Sequence, residues 1–169
     1  MGELKIRAIE PNMQDEFLRT SCREVVSIGT AVMDLVADMK TTLRKFPGVG
    51  LSAPQVSSDL RVILISIPDL ANTKQFDNEG MLVLINPKIL EKSGKRVAME
   101  ACLSIPNWFA LKNRATKVKV KALDVEGNPI YISGRNLLAQ VLEHEIDHIN
   151  GILFTDKTIK TFPKDILQN

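Results

Sequence analysis

"LEHEIDHINGILF", residues 142 to 154, decides how the rest of the chain is read. It holds both histidines of a 169-residue protein, four apart, with a glutamate directly after the first. Residues i and i+4 of an α-helix share a face one turn apart, so His144 and His148 can aim their imidazoles at one point while Glu145 flanks it. The surroundings have the same period. Leu137, Leu138, Val141, Leu142, Glu145 and His148 recur on one side, after "SGRN" and before "NG", with Gly151 placed to end the helix. The pattern is H-E-x-x-H, in which neutral imidazoles hold a divalent metal, the metal acidifies a water and the adjacent carboxylate takes its proton.

A catalytic site of this kind needs a third protein ligand and an open position. The extended motif H-E-x-x-H-x-x-G-x-x-H is followed as far as Gly151, but its last position is Phe154, which cannot bind a metal. No glutamate follows Glu145, so the ligand comes from upstream, or from Asp156 or Asp165. Upstream, "EACLSIP" (100 to 106) presents Cys102 after a strand and before a proline, and a thiolate there is the best candidate. The plain alternative is a buried, inert thiol. Cys22, in the charged "RTSCREV", has no such setting and reads as structural or exposed.

The rest of the chain bounds the function. A single α+β domain spanning residues 1–169 is expected, large enough to fold without a structural metal. The +2 net charge, from 22 basic and 20 acidic residues, is scattered, which gives no single-signed face for nucleic acid or membrane. Lys112, Lys117, Lys119 and Lys121 alternate with apolar residues and read as the wet face of a strand. The acidic N-terminus does not resemble a targeting segment, no run approaches the roughly 20 apolar residues of a membrane span, and two thiols suit a reducing compartment. A cytoplasmic protein is expected, with a mature organellar form as the alternative. The periodicity predicts an N-terminal helix over 27–44, strands at 60–67, 81–86 and 88–98, and a hairpin from 116 through "VEGNP" into "IYIS".

One further stretch is unusual. "FPGVGLSAPQV" (46 to 56) carries two glycines and a proline before Gln55, without the fingerprint of a phosphate loop. A plain turn is one reading; the other is a loop offering backbone groups to an extended peptide and an amide to a developing oxyanion.

"GVGLSAPQ", "EACLS" and "HEIDH", in this order and at these separations, together resemble peptide deformylase, chiefly between Lys45 and Thr155. The resemblance implies antiparallel sheets packed around a central metal-binding helix. It also implies removal of the N-formyl group from the initiator methionine of nascent chains. Cys102, His144 and His148 would hold one divalent ion, Fe²⁺ natively and Zn²⁺ or Ni²⁺ as often isolated. Glu145 would be the general base and later the acid, and Gln55 with the Leu103 N–H would hold the oxyanion. Val49 and Gly50 would pair with the peptide, and Ala101, Leu137, Gln140 and Val141 would line the pocket for its first side chain. The chain departs from the family where Ala101 replaces glycine, Ser52 alanine and Glu143 glutamine. Gln140 puts an amide in an apolar pocket, and Trp108 and Phe109, core or lid, follow "SIP". The implied partners are N-formylmethionyl peptides and, transiently, the ribosome. Only 15 residues follow Phe154, with Pro163 among them, so a ribosome-docking C-terminal helix is expected to be short or absent. A paralogue with altered substrate preference and a non-catalytic binder of formyl-peptides or of a partner are the competing readings.

Overall fold

A computed structural model describes residues 2–68 and 76–168. After a single helical turn, α1 (Glu16–Arg19), comes the expected amphipathic helix, α2 (Thr30–Leu43), whose buried stripe is Val32, Val36, Met39 and Leu43. Then follow β1 (Gly50–Ser52), a 3-10 turn over Ala53–Val56, β2 (Val62–Ile65), β3 (Leu82–Ser93), β4 (Arg96–Cys102), β5 (Ile105–Arg114), β6 (Lys117–Leu123) and β7 (Pro129–Arg135). The metal-motif helix α3 (Leu137–Ile149) and β8 (Lys160–Pro163) complete the order.

The strands form two antiparallel sheets, β1-β2-β3-β6-β7 and β4-β5-β8. Along β2 and β3 every side chain is buried at first, because both faces are covered. Ile63, Ile65, Leu82 and Leu84 meet Leu142, Ile146 and Ile149 of α3 on one face. Val62, Leu64, Val83 and Ile85 meet α2 on the other. The smaller sheet closes over the third core, where Cys102, Ile105 and Ala110 pack with Leu153 and Phe154. α3 thus lies between the two sheets, its charged motif aimed into the seam. Gly151 ends it at φ 73°, and a Cβ there would lie 2.6 Å from the Arg19 carbonyl carbon.

Several boundaries differ from the sequence reading. The chain does not break at Pro87; β3 runs through it, because Asn86 adopts φ 53° and a register shift between Ile85 and Lys88 removes the need for a proline N–H. The predicted 88–98 strand is therefore the end of β3, a turn at Gly94 and the start of β4. "NWFALKNR" is not a lid but part of β5, and the glycine loop contains the short strand β1. Lys112 is not on a wet face. Its ammonium is buried and donates to the Leu153 carbonyl at 3.3 Å, and burial pushes its pKa down. Cys22 is buried and its N–H bonds the Ile149 carbonyl, so it is structural.

Candidate functional site

One end of β4 and one face of α3 bring three donors together. The ligand atoms of Cys102, His144 and His148 lie within 4.8 Å of one another, and Cys102 Sγ is 3.2 Å from His148 Nε2. Asp156 plays no part here: it accepts from the Leu153 N–H and pairs with Arg19. Phe154, standing where the extended motif has its third histidine, is instead core, its ring centroid 6.1 Å from that of His144.

A thiol and two imidazoles suit a borderline-soft divalent ion, and the charges around them also suit one. Burial disfavours a charged His144, but Cys102 and Glu100 together raise its pKa well above the ordinary value. Groups that hold a proton on an imidazole would equally favour a bound cation. Burial, and then His144 itself, keep His148 neutral, the form that offers a lone pair.

Behind the ligands lies a buried ionic chain. Glu100 Oε2 is 3.1 Å from His144 Nδ1, and Arg114 grips the same carboxylate through two bonds of 2.7 and 2.9 Å. Arg114 also donates to Asp147 on α3 at 2.6 Å. Burial alone would raise the Glu100 pKa, but the His144 and Arg114 hydrogen bonds outweigh it and hold the carboxyl at about 2. Glu100 thus fixes the tautomer and direction of His144. Its replacement by glutamine is expected to weaken metal affinity about 10- to 100-fold, read by competition with a chelator.

Glu145 is buried, with its Oε2 unpartnered. Burial pushes its carboxyl up to about 7, against the opposing pull of His144. Its Oε1 and Cδ lie directly against Gly50: a Cβ on that glycine would sit 2.8 Å from Cδ and closer still to Oε1. Gln55 arrives from the other side on the 3-10 turn. Its Oε1 accepts from both the N–H and the hydroxyl of Ser52, at 2.9 and 2.8 Å, which turns its NH₂ toward Cys102 Sγ (3.5 Å) and Ser104 Oγ (3.3 Å). Ser52 therefore helps aim the amide. The N-terminal segment braces both loops, since the N–H of Arg7 bonds the Gln55 carbonyl and that of Ile9 the Ser104 carbonyl, each at 2.8 Å.

Cys102 and His144 open onto a cleft of about 390 Å³, with His148 buried behind them. Val49, Gly50, Ala101, Leu103, Leu137, Gln140 and Val141 all line it, with Gln55, His144 and Glu145. Ala101 lies in the extended backbone of β4 without positive φ, so its methyl is accommodated. Gln140 is less polar toward the cleft than its identity suggests, because its NH₂ donates to the Met99 carbonyl at 2.9 Å and its oxygen accepts from Arg96. Glu143 points away: its carboxylate takes the Ala115 N–H at 2.8 Å and Lys92 at 2.7 Å. Phe109 stacks on Phe162 of β8, and both Trp108 and Phe109 form part of the cleft wall.

Glu100, Arg114, Asp147 and Ser104 were not singled out from sequence. Glu100 carries a signal, since two residues before Cys102 is the same face of a strand. Arg114 carries none without the β4–β5 register.

A donor triad of one thiol and two imidazoles beside a buried carboxylate, at an open cleft, defines a class, the metal-dependent hydrolases of amides. Comparison narrows it. Residues 10–163 match the polypeptide deformylase family. A peptide deformylase of Thermomicrobium roseum is 41% identical over 143 residues, covering 85% of this chain and 81% of that one. The crystal structure of a peptide deformylase from Legionella pneumophila superposes with a TM-score of 0.80 at 39% identity, covering 90% of this chain and 83% of the other. A Met-Ala-Ser-bound peptide deformylase from Acinetobacter baumannii gives 0.79 at 30% identity, covering 92% and 98%. The chain belongs to the peptide deformylase family. It is a metal-dependent enzyme that removes the N-formyl group from nascent polypeptides.

Proposed function

We propose that Cys102, His144 and His148 are the metal ligands, with Fe²⁺ as the native ion and Zn²⁺ or Ni²⁺ accepted by the same donors. A divalent ion held there supplies Lewis acidity and lowers the pKa of water at the site. Glu145 takes the proton of the attacking water and later returns it to the departing amine, releasing formate. The Gln55 amide and the Leu103 N–H receive the formyl oxygen as it gains negative charge. The observation that carries these roles is that Glu145, Gln55, Cys102 and His144 line one cleft, with His148 buried against Cys102 behind them.

The peptide path follows from topology. β1 is the outer strand of the larger sheet and β4 the outer strand of the smaller one, and Gly50 and Ala101 on those strands both line the cleft. An extended N-terminus laid between them would gain main-chain bonds on both sides, a strand addition that reads no side chain. Selection is left to the first residue, which would sit against Leu137, Gln140 and Val141. Because the Gln140 amide is already engaged, an apolar first side chain is preferred. Formyl-Met-Ala-Ser is expected to exceed formyl-Gln-Ala-Ser in kcat/KM by at least about tenfold, the discrimination an apolar pocket supplies. The test is formate release by anaerobically Fe²⁺-loaded protein. Metal binding without formate from either peptide would overturn the proposed roles.

We read residues 1–169 as one catalytic domain, since the N-terminal segment bonds to both site loops. The substrate class and the thiol donor support a location in a reducing compartment where formylated chains are made, the cytoplasm in our reading. Transient association with the ribosome belongs to the same reading; among the described residues after Phe154 the chain forms β8 and a 3-10 turn over Lys164–Gln168.

A further inference from the structure

The face of the larger sheet that carries α2 is only half covered. α2 packs over β1, β2, the start of β3 and Leu123, and beyond it, among the described residues, Lys88, Lys117, Lys119, Lys121, Tyr131 and Arg135 on the same face are exposed. The register gathers there residues that look scattered along the chain. Lys88 lies directly opposite Lys121, Lys117 opposite Arg135, and Lys119 opposite Glu91 and Ser133. Among the described residues, only Lys119 finds a carboxylate, Glu91 at 3.0 Å; Lys88, Lys117, Lys121 and Arg135 have none within 4.0 Å.

Like charges directly opposite each other on a sheet destabilise the pairing, and two such pairs occur on neighbouring strands. Edge protection does not account for them, because β6, which supplies three of the lysines, is an inner strand. Lys117 and Lys121 project to this face about 13 Å apart, on either side of the paired Lys119, within reach of one extended anionic chain. Beside Lys121, and directly opposite it, Tyr131 is 64% exposed. An aromatic ring standing among lysines on a sheet face is a platform for a base, whereas a membrane-binding face would need several apolar anchors.

We propose that this face, centred on Lys88, Lys117, Lys121, Arg135 and Tyr131, binds single-stranded or loop RNA, with the cations on phosphates and the tyrosine against a base. The deformylase activity supplies the occasion, since nascent chains emerge from a particle built largely of RNA. The face is a separate surface from the cleft, so binding and catalysis can be tested apart.

The experiment measures anisotropy of a fluorescein-labelled RNA hairpin with the full-length, metal-loaded protein between 50 and 200 mM salt, on the order of the range in which phosphate contacts are resolved. Four phosphate contacts on a single strand predict a log–log salt slope of about −3. The double variant Lys117→Glu, Lys121→Glu should weaken binding at least about tenfold and flatten that slope. Tyr131→Ala should weaken binding about fivefold and leave the slope unchanged. Both variants should release formate from formyl-Met-Ala-Ser at the parental rate, which shows that they are folded. Equal RNA affinity of the parent and the double variant would overturn the proposal. So would capture by phosphatidylserine vesicles with no RNA binding, or no RNA binding at the lowest salt. A protein that binds RNA but releases no formate would sink the catalytic roles and leave this inference standing.

Discussion

Replacing Gly50 by alanine is expected to lower kcat about 100-fold or more without unfolding the protein, although the substitution adds a single methyl group. That methyl would sit 2.8 Å from Glu145 Cδ, so the carboxylate must swing away from where it lies. A displacement of about 1 Å in a reacting group is enough to cost two orders of magnitude. Because β1 is already paired to β2 at Gly50, the strand cannot yield instead. The check is steady-state formate release together with circular dichroism and a chelator titration. Metal affinity should hold while turnover falls. A second change, Glu145→Asp, shortens the obstructed side chain, so the double variant should lose much less than the product of the two single losses. Strictly multiplicative losses would show that Gly50 matters for some reason other than room for Glu145.

Glu145→Ala should fall further, about 10²- to 10⁴-fold, the contribution of a positioned general base. The three donors lie elsewhere, so the metal should stay bound. The pairing of lost turnover with a retained metal separates a proton-transfer role from a ligand role. Retained turnover in this variant would assign the proton transfer to another group.

These two expectations draw on parts of the site that were unequally legible in the sequence. The H-E-x-x-H helix could be read directly, because its chemistry depends on spacing within one helix and the surrounding apolar period was regular. Cys102 was legible as the best third donor by its setting in "EACLS", with Asp156 and Asp165 as the alternatives. α2 and the β6–β7 hairpin showed their periods plainly. What the sequence hid was whatever depends on register or on an irregular backbone. Pro87 suggested a break that a shifted ladder absorbs, and Lys112 looked solvated until β5 turned it inward. The contact between Gly50 and Glu145 joins residues 95 positions apart, through sheet and helix packing that no local pattern encodes. Likewise, Arg114 reaches Glu100 only because a hairpin folds β5 back on β4. The polar residues that looked foreign to the family were harmless for the same kind of reason: Glu143 and Gln140 each find partners far away in sequence.

The two open strand edges flanking the cleft set a condition on timing as well as on shape. On the proposed peptide path, a polypeptide end would enter only while its backbone N–H and C=O groups are unspent, because each must be free to bond β1 or β4. Once the first residues of a new protein have joined a helix or a sheet of their own, the gap no longer has anything to hold. On that path the enzyme would be in a race with the folding of its own substrates. Proteins whose N-termini are buried early would keep their formyl group unless they are reached first.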